Sequence, residues 1–112
     1  MTDTRQMLEA AARAAGHRIE GDADKLVVFP GHKAGGLSIF NERGGSSLWN
    51  PLNDDGDALR LAVKLKITPH IDNNLTDAES HLGFSTEAHG DNPYAATRLA
   101  IVRAAAAIGS TE

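Results

Sequence analysis

Cysteine is absent from the 112-residue sequence, which excludes a disulfide framework, a thiolate zinc site, an iron–sulfur cluster and a cysteine nucleophile. Aromatic residues are scarce, at 4% of the chain, and include one tryptophan, Trp49, and one tyrosine, Tyr94. No apolar run approaches the ~18 residues that cross a bilayer, and Met1 to Arg13 lacks the basic head and apolar stretch of a secretory leader. The expected location is the cytoplasm, without membrane contact. Neither sign of charge dominates, since 11 Lys and Arg stand against 15 Asp and Glu for a net of −4. The nearest approach to a basic cluster is Arg60, Lys64 and Lys66. Arg60 and Lys64 have the four-residue spacing of an ordinary solvated helix face, whereas a duplex requires clustered cations. The sequence therefore argues against nucleic acid as a partner.

What is present is a modest apolar complement. Leu, Ile, Val and Phe make up about a fifth of the chain, just above the level at which a sequence can bury enough surface to fold, and the low net charge assists. One domain spanning residues 1–112 is expected. A helix is predicted from Asp3 to Ala15, with Met7, Leu8, Ala11, Ala12 and Ala15 on its inner face and Gly16 at its end. Arg18 to Glu20 and Lys25 to Phe29 read as a hairpin, and the unbroken apolar run from Leu26 to Phe29 implies helical cover on both faces. A further strand, Leu37 to Phe40, precedes a break at Gly44-Gly45-Ser46-Ser47, where both serines read as turn residues.

Asn53 to Asp57 opens a second helix running to Leu65, because carboxylates suit the unpaired amides and the dipole of a first turn. Pro69 forbids its continuation. His70 to Asn73 and Ser80 to Thr86 are expected strands, paired so that Ile71 faces Leu82 and Asp72 faces His81. Asn92-Pro93 starts the last helix, with Tyr94, Ile101, Ala104, Ala105 and Ile108 inward and Gly109 as its stop. The fold class expected from this order is α+β, a three-layer α/β/α sandwich with a small, mainly antiparallel sheet, in the order α-β-β-(β)-α-β-β-α.

Three groups of residues invite a chemical reading. Asp54, Asp55 and Asp57 lack the spacing of a calcium loop, and helix capping explains them without another partner. In the expected register His70, Asp72 and His81 share one sheet face, an arrangement that can hold a metal or orient a general base, although a cross-strand charge pair on the surface is the reading the residues favour. Trp49, set between Leu48 and Pro51 just before an apolar helix, reads first as the keystone of the core and second as the anchor of a binding surface. His17, His32 and His89 stand apart from one another, and His17 is placed to meet the C-terminal dipole of the first helix. Gly31 to Gly36 lacks the order of a phosphate loop, and neither G-x-S-x-G nor H-E-x-x-H occurs. No cofactor is expected.

The stretch from Trp49 to Leu65, WNPLNDDGDALRLAVKL, resembles the signature of the phage alpha-beta-alpha sandwich domain, a family of small phage and prophage proteins. Tyr94 to Ala106 is similar to that family's last helix. The resemblance implies a three-layer fold of bacteriophage origin and carries no reaction or catalytic residue with it. Together with the missing catalytic motifs, it leads to the expectation of a non-catalytic accessory module that binds a host or phage protein or a small polar ligand. Trp49, His70, Asp72 and His81 are its candidate binding residues. The alternatives are a small metal-dependent enzyme using His70, Asp72 and His81, and a structural subunit of a larger assembly.

Overall fold

A computed structural model describes residues 4–19, 37–40 and 46–111. Helix α1 (Thr4–Ala14) is followed by strands β1 (Leu37–Phe40) and β2 (Ser46–Trp49), helix α2 (Asp55–Leu65), strands β3 (Thr68–Ile71), β4 (Leu75–Ser80) and β5 (Gly83–Ala88), and helix α3 (Pro93–Thr111). The fold is α+β with antiparallel strand pairing throughout the described residues. Lys25 to Phe29, half of the first expected hairpin, lies outside the described residues, as do His32 and its glycine-flanked loop. Ile19 forms an isolated antiparallel bridge to Ile39.

Helix ends follow local chemistry. At the end of α1, Gly16 takes a φ of 80°, the Gly16 amide donates to the Arg13 carbonyl at 3.0 Å, and the His17 amide donates to the Ala12 carbonyl at 2.9 Å. This paired capping pattern needs a left-handed residue, which glycine supplies at least cost. Asp54 caps α2, its Oδ2 accepting from the Asp57 amide at 2.8 Å. The same pattern ends α2 at Lys66, which adopts the left-handed conformation with a side chain attached.

The strands depart from expectation in two places. Ser46-Ser47 do not make a turn: they begin β2, which pairs with β1 so that Trp49 faces Leu37. The second region holds three strands in the order β3-β4-β5, and the central one is built from residues 75–80, which as far as Glu79 read as a connection between strands because Thr76, Asp77 and Glu79 are polar. The strand nevertheless alternates, with Thr76 and Ala78 buried inward and Asp77 and Glu79 turned outward. Pro69 sits in β3, an edge strand, where its missing amide is tolerated.

The layered build is present, but α3 is the piece in the middle. One side of α3 packs on β4 and β5, where Thr97 Oγ1 lies 2.9 Å from Thr76 Oγ1; another packs on α1, and Arg98 reaches α2. Such a helix must be apolar on more than one face, and buried Ala96, Ala100, Ile101, Val102, Ala104, Ala105 and Ile108 make it so. Two expectations for α3 are corrected. Tyr94 is 70% exposed, because its position in the first turn lies beyond the core. Gly109 does not stop the helix; it lies within it at the α1 crossing, where an added Cβ would sit 1.8 Å from the Ala10 carbonyl oxygen. Among the described residues no helix is long and apolar enough to cross a membrane.

Candidate functional site

The register of the three-stranded sheet separates the residues that sequence reasoning had brought together. His70 pairs with Asp77, and His81 belongs to the turn between β4 and β5. Asp72 follows β3 at the opposite end of β4, so the six-residue length of that strand, ~20 Å, intervenes between Asp72 and His81. Each has local employment or none: His70 Nε2 lies 2.8 Å from Glu79 Oε1, and Asp72 Oδ1 accepts from the Asn73 amide at 2.7 Å. The shared face for His70, Asp72 and His81 is thus not formed. Among the described residues no group of three or more His, Asp or Glu side chains is placed to hold a metal ion.

The acidic run around α2 is consumed by the protein itself. Asp54 caps the helix, Asp55 pairs with Arg98, and Asp57 accepts from the Asn50 amide through Oδ2 at 2.9 Å and from Arg60 Nη2 through Oδ1 at 2.7 Å. His89 is not isolated. Its Nε2 lies 2.8 Å from Thr76 Oγ1, forming a hydroxyl–imidazole chain with Thr97. Thr76 is fully buried, so this chain ties β4 to α3 and offers no nucleophile to a substrate.

Among the described residues a cleft of about 1080 Å³ between α1 and α3 holds none of the candidate residues, whereas another, of about 720 Å³, opens beside Trp49 where the end of α1, the β1–β2 hairpin and α2 meet. Trp49 and Ile39 form its apolar wall, and Trp49 is buried, which places it in the core as well as at this surface. The cap on α1 holds His17 against that wall, its ring centroid 5.3 Å from that of Trp49 and tilted by 60°. Arg60 and Lys64 approach from α2, one helical turn apart. Burial pushes the His17 imidazole below its ordinary value near 6.5, the Lys64 ammonium pushes the same way, and Asp57 opposes both. Arg60 is held more firmly protonated than usual by its hydrogen bond to Asp57.

Sequence reasoning found Trp49 but not its partners. His17 stands 32 positions before Trp49, and only the pairing of Leu37 with Trp49 and of Ile19 with Ile39 draws the two together. The signal available was the Gly16 cap, which fixes the direction in which the chain leaves α1. No family model, curated protein or solved structure matches the chain.

Proposed function

We propose that this chain is a non-catalytic binding module and that the cleft beside Trp49 is where its ligand sits. The observation that carries this reading is the preformed concavity against a rigid aromatic wall, with polar groups converging on it from two helices. A small polar ligand suits its size better than a macromolecular surface does. The resemblance of Trp49–Leu65 and Tyr94–Ala106 to the phage alpha-beta-alpha sandwich domain supports an accessory role in a phage or prophage, within the cytoplasm of a bacterial cell. That resemblance rests on those residues alone.

A panel of small polar compounds in anionic, cationic and neutral classes, read by thermal shift and by Trp49 fluorescence, tests the proposal. A binder should raise the melting temperature and change the emission of the single tryptophan. Ser47→Phe, which fills the cleft from an exposed strand position, should abolish both responses while leaving the circular dichroism spectrum unchanged. A panel without a single responder overturns the reading. The uncovered outer face of β3–β5, where His70 and Phe84 lie with ring centroids 6.3 Å apart, favours a second reading as an assembling subunit. Light scattering that finds only monomer across a wide concentration range removes it.

A further inference from the structure

We infer that the cleft is an anion site, that Lys64 supplies its standing charge, and that His17 strengthens the grip by taking up a proton when the anion binds. The inference rests on the cleft being the ligand site and names the class of ligand and its control by pH.

The charges facing the cleft come from two places. The end of α1 contributes His17 and Arg18, and α2 contributes Asp57, Arg60 and Lys64; the residues lining it from β1 and β2 are Ile39, Ser47, Leu48 and Trp49, which carry no charge. Among the described residues Asp57 is therefore the single carboxylate in the lining, and both its oxygens are occupied, one by the Asn50 amide and the other by Arg60. Arg60 is further balanced by Asp54 at 3.7 Å. Lys64, which lines the cleft, has no hydrogen bond or ion pair among the described residues, so none of them neutralises its charge. A cation would meet that charge with no free carboxylate to receive it among the described residues of the lining. An anion would meet an ammonium and, on protonation, an imidazolium pressed against Trp49.

Coupling to protons follows from the same arrangement. Burial and Lys64 disfavour the charged imidazole, so the neutral form of His17 prevails near pH 7. A bound anion offsets the Lys64 charge and accepts from the ring N–H, both of which favour protonation. Linkage is reciprocal: if the anion raises the proton affinity of His17, then lower pH raises the affinity for the anion by the same factor. The sign for stability is the opposite without ligand. Because the folded value lies below the unfolded one, stability is complete above about pH 6.5 and declines as pH falls toward the folded value. Anion should restore what is lost.

Sulfate is the probe, because its charge is constant over this range, and the full chain is titrated at constant ionic strength by calorimetry. Affinity should rise roughly tenfold from about pH 7.5 to about pH 5.5. Without sulfate, Trp49 emission should fall through a transition below pH 6.5 as the neighbouring imidazolium quenches it. His17→Gln should remove the transition and flatten the pH dependence of binding. Lys64→Met should abolish sulfate binding yet keep the transition, moved to higher pH. Sulfate binding that is equal at all pH values overturns the proton coupling. Absence of sulfate binding, where the panel yields a cationic or neutral ligand, overturns the anion assignment while the ligand cleft stands. Absence of any ligand overturns both.

Discussion

Lys66 and Gly109 show how one residue can oppose or permit the local geometry. Lys66 is the non-glycine residue at positive φ among those described, at 57°, and it closes α2 by donating to the Ala62 and Val63 carbonyls. A side chain in that conformation costs about 1–2 kcal/mol, whereas glycine adds about 0.5–1 kcal/mol of unfolded-chain entropy. Lys66→Gly should therefore stabilise the protein by about 0.5–1 kcal/mol in urea denaturation. Gly109 is the reverse case. The backbones of α1 and α3 approach so closely there that Gly109→Ala places a methyl against the Ala10 carbonyl and should cost about 3 kcal/mol by the same measurement. In the sequence Gly109 reads as a stop, because a glycine near the end of a helical pattern commonly is one. The partner that requires it, Ala10, is 99 residues away.

At the scale of elements, β4 is held to α3 by more than apolar contact. Thr76, fully buried, places its hydroxyl between His89 and Thr97, so one oxygen links a strand, the segment after β5 and a helix. Thr76→Val keeps the shape and removes the hydroxyl, leaving two polar partners unsatisfied. A loss of about 1–3 kcal/mol is expected. If the hydrogen bonds carry it, Thr97→Val in the same background should cost less than it does alone, a non-additivity that a double-mutant cycle measures. The helices were legible because each carries its own boundary chemistry: the Gly16 cap, the Asp54 cap and the Asn92-Pro93 start, where Asn92 Oδ1 accepts from the Ala95 amide at 3.1 Å. Strand β4 was not. Half of its surface faces solvent and its inner positions are a small Ala and a hydrogen-bonded Thr, so its alternation is polar against small rather than polar against large apolar. Displacing the strand by that misreading also displaced the register and, with it, the grouping of His70, Asp72 and His81.

For the whole molecule, α3 decides cooperativity. It touches α1, α2 and the β3–β5 sheet, so neither the sheet nor the Trp49 side has a core that excludes it. Unfolding followed by Trp49 fluorescence, which reports the α1–hairpin–α2 side, should coincide with unfolding followed by far-ultraviolet circular dichroism. Separated transitions would mean that the two sides are independently stable. The sequence alone determined the α+β class, the helix boundaries at Gly16, Asp54 and Pro93, and the structural weight of Trp49, since each depends on chemistry within a few residues. Tertiary structure alone decided that α3 is the central layer and that Gly109 is a contact. It also decided that the acidic run is spent on internal partners and that His17 meets Trp49 beneath Lys64. These depend on which surfaces meet, and an alanine-rich chain marks its contact surfaces weakly, because small side chains pack closely without announcing a partner by their size.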